Sequence, residues 1–277
     1  MRILLSGAGG QLAADLASEL AAQDLHAVGH DQLDIADRAA VEAMVVALRP
    51  EWIVNAAAFN DVDAAESQLE RAFAVNADGP AYLAEAGAGV GARLLHISTD
   101  YVFNGRKGSA YSEQDAPDPL SVYGKSKLAG ERRVLESGVG ACVLRTAWLY
   151  GRGGKNFVKA ILAAAQRGEP LTVVADQVGS PTSTRDLAAA IGELLETDLQ
   201  GLFHVANAGA CSRYDFARAI VGERVPVRPI PSSQAERPAP RPANSSLTSE
   251  RWGEAGMRPL RAWDTALRDF LAGAGLP

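Results

Sequence analysis

The stretch "RILLSGAGGQLAADLASEL", residues 2–20, decides how this chain is to be read. Residues 2–6 form an apolar run of strand length. Gly7, Gly9 and Gly10 follow at once, and from residue 11 to about 23 apolar residues recur at helical spacing. A strand that passes through a glycine turn into a helix leaves free N–H groups at the helix start. Those donors and the helix dipole favour an anion. The spacing GxGxxG fails, because it would need glycine at Leu12. The spacing GxxGxxG fits, with Gly7, Gly10 and Ala13. Gly7 permits the tight turn, Gly10 lets backbone approach a pyrophosphate, and Ala13 is small enough for close helix–strand packing. The expectation is a dinucleotide site built on Gly7 and Gly10.

Outward from this turn the pattern repeats. Strands are expected at residues 25–29, 51–58, 92–99 and 141–150. Helices are expected at 34–50, 64–75 and 80–90, and in the segment that carries Tyr123. Alternation of this length predicts an α/β fold, a Rossmann-type doubly wound parallel sheet with helices on both faces. Residues 1–150 read as the dinucleotide-binding domain, with later segments around 170–205 returning to it. Residues 151–277 read as a smaller, carboxyl-terminal, mainly substrate-binding part. It holds helices at 156–167 and 183–196, the latter capped by Thr182 or Ser183, and strands at 171–175 and 201–207. Prolines crowd residues 225–243. That segment is expected to be ordered, because Leu260, Trp263, Leu267, Phe270 and Leu271 follow at helical spacing and need a surface to dock on.

Composition narrows the function. The 277 residues are 47% hydrophobic and 22% charged, enough for a large core, and the net charge is −6. That balance argues against nucleic-acid or anionic-membrane binding. No run approaches a membrane span of about 20 apolar residues. The amino-terminal run turns into the glycine loop too soon for a signal peptide, so a cytoplasmic protein is expected. Cys142 and Cys211 have no metal-ligand spacing and are expected to be reduced and unpaired. No metal site is assigned.

The second strand ends in Gly29, His30 and Asp31. Glycine at the tip leaves room for a 2′-phosphate that His30 could contact, whereas Asp31 would repel it. On balance NADPH is preferred over NADH, and His30 as a plain loop histidine stays open. Asp34 reads either as an adenine neighbour or as a helix cap.

Tyr123 and Lys127 in "SVYGKSKLAGE" lie four residues apart on one helix face. A tyrosine hydroxyl, with an ordinary pKa near 10, is a poor proton donor or base at neutral pH. A nearby ammonium lowers that pKa and can bind a nicotinamide ribose. A second hydroxyl, Ser98 or Thr99, stands at the carboxyl end of the strand "ARLLHIST", where doubly wound sheets bind ligands. A tyrosine and lysine at this spacing arise often by chance; their order after the glycine loop and "STDYVF" gives them weight.

These residues resemble the extended short-chain dehydrogenase/reductase superfamily, and within it the dTDP-4-dehydrorhamnose reductase family. The likeness runs nearly end to end through "GAGGQL", "RPEWIVNAAA", "STDYVFNG", "VYGKSKLAGE", "LRTAWLYG", "VVADQVGSPTSTRDLA" and "RPANSSL". It implies NAD(P)H-dependent reduction of the 4-keto group of a dTDP-linked sugar. Tyr123 would protonate the sugar oxygen, Lys127 would lower the Tyr123 pKa and hold ribose, and Thr99 would bind the substrate oxygen beside Asp100. Gly10, Gln11 and Leu12 would line the pyrophosphate, Asp34 and Ile35 the adenine, and Ala58, Phe59 and Asn60 another side of the cofactor. Trp148 would border the sugar, although it also suits a core indole. Arginine forks match phosphate oxygens, so Arg241, in the family-like string, is expected at the substrate diphosphate, ahead of Arg237. The resemblance also allows Mg2+, with no ligands assigned, and a homodimer. Two alternatives stay open: a non-catalytic NADP-binding regulatory subunit, like that of methionine adenosyltransferase, and a reductase of another nucleotide-linked 4-keto sugar.

Overall fold

A computed structural model describes residues 1–138 and 140–273. In chain order the elements are β1 (Arg2–Ser6), α1 (Gln11–Glu19), β2 (Asp24–Val28), α2 (Arg38–Leu48), β3 (Trp52–Asn55), α3 (Val62–Ser67) and α4 (Leu69–Phe73). A π-turn at Ala74–Asp78 leads into α5 (Gly79–Val90) and β4 (Arg93–Thr99). Then come α6 (Val122–Glu136), β5 (Ala141–Thr146), β6 (Leu149–Tyr150), α7 (Phe157–Gln166), β7 (Leu171–Val174), β8 (Val178–Gly179) and β9 (Thr182–Ser183). The chain closes with α8 (Thr184–Leu195), β10 (Gly201–His204), β11 (Cys211–Ser212), α9 (Arg213–Val221), β12 (Val227–Ile230), α10 (Glu250–Glu254) and α11 (Trp263–Gly273).

Six parallel strands make the central sheet, in the order β10-β5-β4-β3-β1-β2. Its two faces bury separate apolar clusters. Ile3, Leu5, Leu95 and Leu144 meet α1 and α8 on one side; Leu4, Ile53, Leu94 and Val143 meet α2 and α5 on the other. Side chains alternate across each strand, so consecutive residues feed opposite faces, each buried Leu or Ile adding about 1.5–3 kcal/mol. The winding reverses between β1 and β3, which opens a crevice at their carboxyl ends.

Segments after β6 divide between the sheet and a smaller lobe. Helix α8 packs on α1 and β10 joins β5, so this part returns to the sheet. The strand at 171–174, expected near the start of that return, instead pairs in parallel with β12. The proline-rich segment is ordered and supplies β12. Leu267 of α11 is buried in the lobe's core with Phe216, Tyr150 and Val158, and Trp263, Phe270 and Leu271 pack around it.

Several boundaries differ from the sequence reading, each for a local reason. Helix α2 starts at Arg38 because the Asp37 carboxylate caps Ala39 N and Ala40 N. The helix expected over 64–75 is broken at Gln68, which leaves helical geometry at φ −122° and ψ 47°. The strand expected over 141–150 is split by Trp148, whose backbone sits at φ 47°. Ser183 holds the cap position of α8, but its side chain makes no capping bond.

Candidate active site

The glycine turn has the shape that a dinucleotide needs. Gly7 lies at φ 87°, and a Cβ there would fall 2.7 Å from Ala57 N on the neighbouring β3 loop. Only glycine allows both the backbone angle and that close approach. Gly10 caps α1 with backbone alone, and a Cβ at Gly9 would meet nothing within 4 Å. An open helix start with no side-chain cap, beside the β1/β3 crevice, is a cradle for a pyrophosphate. The residues present therefore fit a nicotinamide dinucleotide.

The other expected cofactor residues have assignable surroundings. The Gln11 amide donates to Leu149 O at 3.0 Å, so its side chain ties α1 to β6. Leu12 and Ile35 have side chains in the core, where Ile35 packs under Gly79; only their backbone can face a ligand. Asp34 accepts from Ala36 N at 3.0 Å, and the helix cap falls to Asp37. His30 is exposed and 3.8 Å from Asp34. Asp31 folds back toward Gly29, where a Cβ would meet its carboxylate at 2.8 Å. Ala58 and Phe59 are half-buried and Asn60 is exposed. Asn76, which the sequence reading missed, clamps this loop: its Oδ1 accepts from Phe59 N at 2.8 Å, and its Nδ2 donates to Phe59 O and to Ser126 Oγ, both at 3.0 Å.

Strand β4 delivers the polar centre. Ser98 is turned to the other side of the strand, where its hydroxyl donates to Glu131 at 2.5 Å. Thr99 is the hydroxyl that reaches Tyr123, beside which its own hydrogen bonding opposes the upward shift of the phenol. Thr99 also donates to Asp100 Oδ1 at 3.0 Å, and Ser245 donates to Asp100 Oδ2 at 2.5 Å. Burial pushes the Asp100 carboxyl up to about 6 against those two bonds. Ser121 caps α6 through Gly124 N at 3.1 Å and so aims Tyr123 at this centre.

The sequence argument has Lys127 lowering the Tyr123 pKa. In the structure the strongest influence on the phenol is burial. Burial drives the Tyr123 hydroxyl well above its ordinary value, the Thr99 hydrogen bond opposes the shift, and Asp100 and Tyr101 add to it. Lys127 is itself buried; its Nζ donates to Ile97 O at 2.7 Å and lies 3.3 Å from His96 Nε2. Burial lowers its pKa to about 8. Tyr123 is thus held as a protonated hydroxyl, which is the form that can give a proton away.

Beside this centre lies a cavity of about 1020 Å³ whose lining includes Tyr101, Lys155, Gln177, Arg213, Arg237 and Arg241. Four cationic side chains around one cavity suit a phosphorylated ligand. Arg213 was not singled out from sequence. Its guanidinium lies 3.5 Å from the centroid of the Trp148 ring, and it is hydrogen-bonded to Tyr101. Trp148 lies against Gly179, where a Cβ would fall 2.2 Å from its ring. Arg241, expected at the substrate diphosphate, lines this cavity with its fork engaged by a carboxylate. Its two nitrogens bind Asp63 at 2.6 and 2.9 Å, and one also binds Ala239 O. Arg237 is 62% exposed and 3.6 Å from the same carboxylate.

The family-like strings meet in space. Val178 of "DQVGSPT" exchanges backbone hydrogen bonds of 2.8 Å with Ala243 and Ser245 of "RPANSSL". Gly105 of "STDYVFNG" sits so close that a Cβ would fall 2.5 Å from Ala243 N. Among the described residues no group of three or more His, Cys, Asp or Glu could hold a metal ion, and none of the helices is long and apolar enough to cross a membrane.

Comparison with known proteins agrees with this geometry. Residues 1–275 match the RmlD substrate binding domain family. A dTDP-4-dehydrorhamnose reductase of Mycobacterium tuberculosis is 45% identical over 283 residues, covering 98% of this chain and 92% of the relative. A spore coat polysaccharide biosynthesis protein of Bacillus subtilis is 40% identical, covering 98% of this chain and 96% of that one. The crystal structure of dTDP-4-dehydrorhamnose reductase from Bacillus anthracis in complex with NADP superposes with a TM-score of 0.96 at 37% identity, covering 98% of this chain and 99% of that chain. The chain belongs to the RmlD substrate binding domain family, together with the dTDP-4-dehydrorhamnose reductases that it resembles over nearly its whole length.

Proposed function

We propose that this protein reduces the 4-keto group of dTDP-4-dehydro-L-rhamnose to dTDP-L-rhamnose with NADPH, or NADH, as reductant. The observation that carries the reading is the meeting of Thr99 and Tyr123 at the end of β4, beside the glycine cradle and a cavity edged with cations. When bound, the nicotinamide supplies the hydride. Gly7, Gly10 and the amides of Gln11 and Leu12 hold its pyrophosphate; Asp34, Ile35 and Ala58–Asn60 border it, and His30 meets a 2′-phosphate. Thr99 holds the keto oxygen, and Tyr123 donates the proton that this oxygen needs once reduced. Lys127, on α6 with Tyr123, holds the nicotinamide ribose and favours proton release from the phenol. Asp100, kept in place by Ser245, orients Thr99. Trp148 and Arg213 border the sugar, and Lys155 and Arg213 supply positive charge to the diphosphate, with Arg241 organising the cavity wall.

In this reading residues 1–150 bind the dinucleotide, with α8 and β10 completing that sheet, and the remainder of 151–277 mainly binds substrate. The protein acts as a homodimer, which light scattering can check. Purified protein with dTDP-4-dehydro-L-rhamnose should consume NADPH, followed by loss of its absorbance. Tyr123→Phe should lower kcat by about 100-fold or more with cofactor affinity changed less than about twofold. Full activity in that variant would sink the mechanism. Other nucleotide 4-keto sugars in the same assay define the sugar.

A further inference from the structure

The chemistry assigned to Thr99, Tyr123 and Lys127 makes no use of His96, which is fully buried in the middle of β4. Both of its ring nitrogens face a partner. Nδ1 lies 3.0 Å from Asn55 Nδ2 on β3, and Nε2 lies 3.3 Å from Lys127 Nζ on α6. The Asn55 amide is not free to turn. Its Oδ1 accepts from the backbone N–H of Ala57 at 3.1 Å and from the Ser6 hydroxyl at 2.8 Å. A backbone N–H can only donate, so the other end of the amide, Nδ2–H, must face His96. Nδ1 is then the acceptor nitrogen, and a neutral imidazole that accepts at Nδ1 carries its proton on Nε2.

That N–H points at Lys127. An ammonium has donors only and cannot accept it, whereas a neutral amine has one lone pair that can. Because Lys127 already donates to the Ile97 carbonyl, the neutral amine satisfies both contacts and the ammonium only one. Protonating His96 is no escape: burial, and then the Lys127 charge, hold its pKa well below the ordinary range. Of the charges nearby, the Glu131 carboxylate favours the ammonium, but burial outweighs it and the Lys127 pKa still falls. Glu131, one turn along α6, binds Arg145 of β5 at 2.9 and 2.6 Å. Asp100 is held by Thr99 and Ser245, and Asp78 of the π-turn pairs with Arg133.

We propose that His96 is a positioning residue, locked as its Nε2–H tautomer by the Ser6–Asn55–Ala57 cluster, which orients the Lys127 amine and favours its neutral form before cofactor binds. The charge on Lys127 then changes with pH near 8 instead of being fixed. The catalytic consequence rests on the reductase reading; the tautomer and the lysine state do not.

The chain has four histidines and five lysines, few enough to resolve singly. In full-length protein labelled with 15N-histidine, His96 should be Nε2-protonated from about pH 5 to about pH 9. An Nδ1–H tautomer or an imidazolium in that range overturns the proposal. Asn55→Asp puts an acceptor opposite Nδ1 and should reverse the tautomer. In protein carrying 13Cε-lysine, the Lys127 signal, identified by its loss in Lys127→Met, should titrate near pH 8. His96→Leu should raise that midpoint by about one unit, and kcat/KM against pH should shift with it. An unchanged midpoint, or a uniform fall in rate at every pH, would show that His96 only fills space. The spectra need no substrate, so an inactive protein with the expected titrations would sink the reductase reading and support this inference.

Discussion

At the scale of single residues, burial governs the chemistry more than sequence spacing does. Tyr123 and Lys127 share a helix face, yet the amine is drawn to the Ile97 carbonyl and to His96, while the phenol faces Thr99. Asp100 is the clearest case of a charge held in a dry place. Its pKa is raised from 3.8 to about 6 by burial. A carboxyl whose folded pKa is raised contributes stability below its unfolded pKa, and that contribution is lost as pH rises through the folded value. Asp100→Asn should therefore raise Tm by a few degrees at about pH 7.5 and leave it almost unchanged at about pH 3.5, while lowering turnover through the weakened hold on Thr99. Thermal melts at both pH values check this; equal shifts at both would mean that the carboxyl is not the cause.

Among the elements, α6 depends on close contact along its inner face. A Cβ at Gly130 would fall 2.1 Å from Asn76 O in the π-turn, with backbone rather than a yielding side chain in the way. The π-turn is what presents Asn76 to both Phe59 and Ser126. Gly130→Ala should cost about 2–4 kcal/mol in urea unfolding despite the better helix propensity of alanine. A neutral or stabilising effect would show that the contact yields. The buried pair Glu131–Arg145 sits on the same helix and is less than 4% exposed on either partner. Glu131→Gln should cost about 3–5 kcal/mol, because it leaves the Arg145 charge buried without its partner. The same unfolding measurement checks it, and a loss below about 1 kcal/mol would mean that water reaches the site.

Over the whole molecule, the carboxyl-terminal segment is locked to the sheet lobe through Asp63 and Arg241. The carboxylate binds both guanidinium nitrogens and Ala239 N, which holds its pKa below the ordinary range through Arg241 first. Asp63→Ala should raise KM for the nucleotide sugar about tenfold while changing KM for the cofactor less than about twofold, because only the cavity wall is released. Steady-state kinetics with each substrate varied in turn would test this, and equal changes in both constants would refute it. The alternation of strands and helices, the glycine turn and the family-like strings were legible in the sequence, because local periodicity, turn chemistry and residue type are properties of neighbours in the chain. Thr99 over Ser98, the grip of Asp63 on Arg241, the placing of Arg213 on Trp148, and the contacts of Asn76 and His96 were not. Each depends on partners up to 178 residues apart, brought together only when the sheet closes. By itself the sequence determined the fold class and the candidate catalytic pair; tertiary structure decided which side chains face one another. Burial and hydrogen-bond competition, which no local pattern encodes, shift the pKa values of Asp100, Tyr123, Lys127 and His96.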